Sequence, residues 1–234
     1  MALIAVVNHD EDEGVKVGRL GPHLARHAVV DVFAPDADFP ADVDGAVVLG
    51  GFMGAYDSDI HPWLEDEKKW IVDLASNDVP ILGICLGSQL LADALGGRAY
   101  KAPMPEVGVV EVHLTPAGVA HPILGLMGTV AFFAHQDTFE LPPGATLLAA
   151  TNQFPAAFEI GPALGIQSHP ETPLDEALTW PDHPDFDLLE RVGLDRHDYS
   201  YDLRVHTAQL AGAAERIFEG WFARLAEEGV TPSR

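Results

Sequence analysis

The chain has a single cysteine, Cys85, in 234 residues. A lone thiol excludes an internal disulfide and any cysteine-based zinc site. Basic residues are scarce too, with 13 Lys and Arg against 36 Asp and Glu and a formal net charge of −23. A surface so poor in cations has little to exchange for the counterions of a phosphate backbone, which argues against nucleic-acid binding. The carboxylate excess reads as a soluble, self-repelling surface of an acid-biased or salt-adapted kind, with a basic partner protein as the sharper alternative. No apolar run approaches the roughly 18 residues a bilayer-spanning helix needs. The opening stretch MALIAVVNHDEDEG lacks a basic leader, so it reads as a first strand and not a signal peptide. Cytoplasmic residence is the default expectation. No Gly-Lys-Ser/Thr phosphate loop and no Ser-Gly-Gly nucleotide loop is found.

What is present is enough apolar residue, 47 %, to bury a substantial core in one domain over 1–234. Short apolar runs at Leu3–Val7, Val29–Phe33, Ala46–Leu49, Ile81–Ile84 and Val107–Val112 read as strands. Helical spacing appears over Trp63–Ala75 and Leu86–Leu95, the latter stopped by Gly96-Gly97. Strands alternating with helices predict an α/β fold with a parallel sheet covered on both faces. After Val107 the runs VGVVEVHLT, GTVAFFAH, ATLLAATN, AAFEI and ALGIQS follow one another through turns, an antiparallel section added to that core. Residues 172–204 read as an acidic surface segment of short helices, and His206–Glu227 as an amphipathic helix.

The thiol sits in Gly83-Ile84-Cys85-Leu86-Gly87, between an apolar strand and a helix. A residue at such a turn is held in a strained conformation, and the helix N-terminus favours a thiolate. A core cysteine beside tightly packed glycines fits those five residues equally well. A nucleophile needs a base and the base an orienting group. GIQSHPE offers His169 and Glu171, two residues apart around Pro170 at a strand end. VVLGGFMGAYD brings Gly50-Gly51 after a strand, where backbone N–H groups can approach a ligand. His61, His113, His121, His183, His197 and His206 are scattered without metal-ligand spacing, and no metal site is expected. His9, after the first strand, is a weaker candidate for the sheet's carboxyl edge.

Taken together, PILGICLGSQLLADALGG, GIQSHPE and LGGFMGAYD with HPWLEDEKKWI resemble, in order, the motifs of the class I, triad-type glutamine amidotransferases. The likeness covers roughly residues 3 to 171 and is nearest to stand-alone proteins related to the GMP synthase glutaminase domain. It implies a flavodoxin-like three-layer sandwich with a central, mostly parallel sheet. It implies Cys85 as nucleophile forming a γ-glutamyl thioester, His169 as base and Glu171 as its orienting group. Gly51 and Leu86 would form the oxyanion hole. Gln89 would bind the substrate's amino-acid end, and a loop around His135, Gln136 and Asp137 would close the pocket. No cofactor is implied. The substrate would be glutamine, with ammonia passing to a separate synthetase subunit. The alternatives are a γ-glutamyl hydrolase or peptidase on another γ-glutamyl amide, and a binding protein without turnover. The chain departs from the pattern at Ser168, where the residue before the catalytic histidine is usually aromatic, and in its AHQD loop.

Overall fold

The computed structural model describes residues 1–9, 17–126, 128–184 and 186–227. Its strands are β1 (Leu3–Asn8), β2 (Ala28–Phe33), β3 (Gly45–Val48), β4 (Ile81–Ile84), β5 (Arg98–Glu111), β6 (His113–Leu114), β7 (Val130–Glu140), β8 (Thr146–Ala150), β9 (Pro155–Ile160) and β10 (Ala163–Ile166). Its helices are α1 (Gly21–Leu24), α2 (Trp63–Ser76), α3 (Leu86–Ala94), α4 (Pro116–Ala120), α5 (Leu174–Ala177), α6 (Leu188–Val192) and α7 (Arg196–Glu227). An eight-stranded sheet runs in the order β2-β1-β3-β4-β10-β9-β8-β6. The pairings from β2 to β10 are parallel, and those from β10 to β6 antiparallel. A separate antiparallel pair, β5–β7, completes the strand set.

The period of two along each strand builds three layers. Ile4 and Val6 of β1 pack with Leu24 of α1 and Phe218 and Trp221 of α7. Ala5 and Val7, pointing the other way, pack with Leu64 and Ile71 of α2 and Leu90 and Leu91 of α3. Both faces of the parallel half are therefore buried, which explains why its strands are apolar throughout. The strand order reverses between β1 and β3, and the carboxyl ends on either side of that point are where ligands bind in open α/β sheets. No described helix is long and apolar enough to cross a membrane.

Three expectations change. Residues His135, Gln136 and Asp137 lie within β7 and not in a loop, because β5 pairs along them. Their register shifts between Lys101 and Glu106, so the irregularity falls on the facing strand. The acidic segment does form short helices, but it is not merely surface. Ala177, Leu189, Tyr199 and Leu203 bury themselves against Val107 and Phe132. Finally, α7 begins at Arg196, well before His206, because Tyr199 and Leu203 continue its apolar stripe.

Candidate active site

Cys85 is the residue between β4 and α3, and its backbone adopts φ 51° and ψ −109°. That conformation is unfavourable for a residue with a Cβ and survives only where the surroundings enforce it. The flanking glycines are the enforcement. A Cβ at Gly87 would lie 2.0 Å from the Val48 carbonyl oxygen, and one at Gly83 would lie 2.6 Å from the Gly87 carbonyl. The first turn of α3 is thus pressed onto β3 and β4, and only glycine permits it. Leu86 opens the helix, so its N–H belongs to the first turn, whose donors have no carbonyl partner within the helix.

His169 and Glu171 follow β10, the strand parallel to β4. Nδ1 of His169 bonds Glu171 Oε1 at 2.8 Å, and the His169 backbone N–H donates to the Phe132 carbonyl at 2.8 Å. The other ring nitrogen, Nε2, is buried and makes no hydrogen bond of good geometry, and the remaining side chain that acts on the ring as a hydrogen-bonding neighbour is Cys85. A Cβ at Gly50 would lie 3.2 Å from His169 Cε1 and 3.6 Å from Cys85 Cβ, so this glycine is wedged between the two side chains. Burial works against charge on the imidazole. The neighbouring charges of Cys85 and Glu171 outweigh it and hold the ring well above its ordinary pKa. Glu171 is fixed in turn, since its carbonyl accepts from Arg19 N at 2.8 Å and Thr172 Oγ1 donates to its Oε1 at 3.3 Å.

The small residue at Ser168 is compensated from elsewhere. Trp180, from the acidic segment, sets its ring edge-on to His169 with centroids 4.9 Å apart, and Phe132 lies at 6.1 Å. His183 of the same segment stacks on Phe52 at 5.0 Å, beside the glycine loop. Residues 172–204 therefore contribute a wall to the site, which their acidic composition concealed.

Gly50-Gly51 follows β3. A Cβ at Gly51 would collide with Leu86 Cδ2 at 2.7 Å and Met53 Sδ at 2.8 Å, so this backbone runs directly beside the elbow. The Gly50 carbonyl is bonded by His9 Nδ1 at 2.9 Å, and His9 Nε2 meets Glu67 Oε1 at 3.1 Å. His9 thus reaches the carboxyl edge of the sheet, and Glu67 joins it from α2. Nothing in the order of residues linked that pair.

Gln89, one turn beyond Cys85, donates through Nε2 to the Asp137 carbonyl at 3.0 Å and to Gln167 Oε1 at 3.3 Å. His135 Nδ1 meets the same Asp137 carbonyl at 2.8 Å, and its Nε2 meets Glu106 Oε2 at 3.2 Å. Gln136 Nε2 donates to the Ala102 carbonyl at 2.7 Å. The Asp137 carboxyl accepts from Tyr56 OH at 2.9 Å, and burial raises its pKa against that bond. Gln89, His135 and Asp137 therefore form one hydrogen-bonded group, joined by Glu106 and Tyr56, which no motif had singled out.

Among the described residues, Asp195, His197 and Asp198 could share an ion, but all three are exposed and none belongs to this group. A cavity of about 970 Å³ opens elsewhere, between residues 37–44 and Trp70 of α2, and is lined by none of Cys85, His169 and Glu171.

Residues 22–179 match the family described as glutamine amidotransferase class-I. Over 129 residues the chain is 43 % identical to the glutamine-hydrolyzing GMP synthase of Aeropyrum pernix, a match covering 53 % of this chain and 24 % of that protein. The chain thus spans about a quarter of that relative's length. It is similar in structure to a glutamine amidotransferase from Thermotoga maritima, with TM-score 0.80 and 25 % identity over 94 % of this chain and 97 % of the other. A glutamine amidotransferase from Methylobacillus flagellatus gives TM-score 0.81 and 26 % identity over 99 % and 98 %. These structures share the mixed sheet described above, parallel on one side and antiparallel on the other.

Proposed function

The chain belongs to the class-I glutamine amidotransferases, and from that premise we propose that it hydrolyses the side-chain amide of glutamine through a γ-glutamyl thioester on Cys85. The ammonia would pass to a separate synthetase. The observation that carries this reading is the His169 ring, tied to Glu171 through Nδ1 and bordered by Cys85, with no other group bonded to its buried Nε2.

In this reading residues 1–234 act as one glutaminase unit. The Cys85 thiolate attacks the amide carbon, forming a C–S bond and pushing the carbonyl π pair onto oxygen. The N–H groups of Gly51 and Leu86 receive that oxyanion, each contributing about 3 kcal/mol on the protease precedent. The C–N bond then breaks, the Nε2 proton passes to the leaving nitrogen, and ammonia departs. Water gives a proton to the neutral ring and attacks the thioester as hydroxide, breaking the C–S bond, releasing glutamate and restoring the thiolate beside the protonated ring. Glu171 holds the imidazole in register throughout. Gln89, His135, Gln136 and Asp137 shape the end of the pocket that takes the amino-acid part of glutamine. The synthetase proposal leans on the Aeropyrum relative, named as glutamine-hydrolyzing, of which this chain matches one part.

The test is ammonia release from glutamine by the purified chain, with Cys85→Ala abolishing it. Intact-mass trapping should show a γ-glutamyl adduct on the wild type alone. Much faster turnover of γ-glutamyl peptides than of glutamine would replace this substrate, and no adduct with either would leave a binding protein.

A further inference from the structure

His9 is placed where its two ring nitrogens meet only acceptors. Nδ1 faces the Gly50 carbonyl at 2.9 Å, and Nε2 faces both Glu67 oxygens at 3.1 and 3.2 Å. A neutral imidazole has one N–H and serves one acceptor. A carbonyl can only accept, so Nδ1 carries the hydrogen that Gly50 receives, and one further proton bridges Nε2 and Glu67. The Glu67 side chain is fully buried and the His9 ring is packed against Trp63, with centroids 5.6 Å apart and planes 25° from parallel. Burial alone would lower the His9 pKa, but Glu67 overcomes it and raises the value. A buried ion pair is a weak source of stability, because desolvation offsets the attraction. Apolar packing at positions 9 and 67 would fill the same space. The pair therefore calls for a reason in what it holds.

What it holds is one end of a peptide plane. In a trans peptide the carbonyl of residue i and the N–H of residue i+1 point in opposite directions. Fixing the Gly50 carbonyl toward His9 turns the Gly51 N–H away from it. Gly50 itself borders the Cys85 and His169 side chains, so this peptide plane lies at the edge of the site. Glycine at both positions leaves this plane free to rotate unless something holds it.

We infer that His9, anchored by Glu67, is a positioning residue that aims the Gly51 N–H at the developing oxyanion by clamping the Gly50 carbonyl. The inference rests on the glutaminase reading for its catalytic consequence but not for its geometry. His9 itself touches no reacting atom. The clamp also supplies what the sequence alone could not: a reason for a charged residue on the buried face of α2.

The experiment compares His9→Ala with His9→Asn, whose amide nitrogen occupies the Nδ1 position and still donates to Gly50. Losing one oxyanion donor costs about a hundredfold to a thousandfold, and a misaimed donor costs less, so His9→Ala should lower kcat about tenfold to a hundredfold. KM for glutamine should stay within about twofold, since the ground-state amide does not need the aimed donor. His9→Asn should recover most of kcat. Alkylation of Cys85 by iodoacetamide, which forms no oxyanion, should keep its wild-type rate in both variants. Equal kcat in His9→Ala and wild type, or alkylation that falls in parallel with kcat, would overturn the inference. A second measurement needs no variant and no turnover: nitrogen NMR of the wild-type His9 ring near neutral pH. A protonated Nδ1 supports the clamp, and an Nδ1 without its proton overturns it. If the wild type releases no ammonia from glutamine, the functional reading fails, and the ring nitrogens alone decide the clamp.

Discussion

Two histidine–carboxylate pairs sit at the carboxyl edge of the sheet, one after β10 and one after β1, and they use their rings differently. His169 spends one nitrogen on Glu171 and keeps the other buried, with Cys85 as its neighbour and no well-formed hydrogen bond. His9 spends both, one on Glu67 and one on the Gly50 carbonyl. A ring with a nitrogen in reserve can move a proton, whereas a ring with both committed can only hold position. The residue type and the partner type are the same, so the second nitrogen's neighbour sets the role.

The comparison can be broken in order of effect. Replacing His169 with alanine should cost about a millionfold in kcat, as loss of the base does in a triad that acts as a unit. Glu171→Gln should cost about ten-thousandfold, because the ring loses the partner that fixes its orientation. Both are read from ammonia release at saturating glutamine. His9→Ala, at tens of fold, should fall clearly below them, and a loss equal to that of His169→Ala would erase the distinction. Trp180→Ala removes an edge-on aromatic contact worth about 0.5–1.5 kcal/mol, so it should slow turnover about threefold to tenfold.

The smallest effect is electrostatic. Cys85 is the leading influence that raises His169 against the opposing effect of burial, so Cys85→Ala should move the imidazole titration to lower pH in an NMR titration. The sign carries over to stability. A histidine raised on folding contributes fully below its unfolded value, and that contribution disappears as pH climbs through the folded value. In Cys85→Ala this alkaline loss should therefore begin at lower pH than in the wild type. An unmoved titration would mean that Glu171 alone holds the charge on the ring.

The same pairs mark what could be read from the sequence. His169 and Glu171 are two positions apart around a proline, and Cys85 stands in a strand–turn–helix, so short-range geometry brings each into view. His9 and Glu67 are 58 positions apart, and only the meeting of β1 with α2 joins them. One trace did exist. Glu67 shares the inward stripe of Leu64, Ile71 and Leu74, a charged residue on a face that must be dry. The parallel strands were legible because burial on both faces leaves them apolar throughout. The acidic segment misled because its carboxylates outnumber its buried residues, although Tyr199 and Leu203 already carry the stripe that α7 continues. His135 to Asp137 were read as a loop for want of a visible partner strand, and the irregular pairing with β5 is what keeps them extended.

The positive φ of Cys85 carries a last consequence. Among the described residues it is shared by one other non-glycine position, Asp78. Glycine usually makes a folded chain less durable than alanine by about 0.5–1 kcal/mol. Here the Cβ itself sits in a conformation that costs about 1–3 kcal/mol, so Cys85→Gly should melt higher than Cys85→Ala although both are inert. Heat resistance and reactivity are then opposed at a single carbon atom. A lineage freed from any need for a thiol would be expected to drift toward glycine at this position.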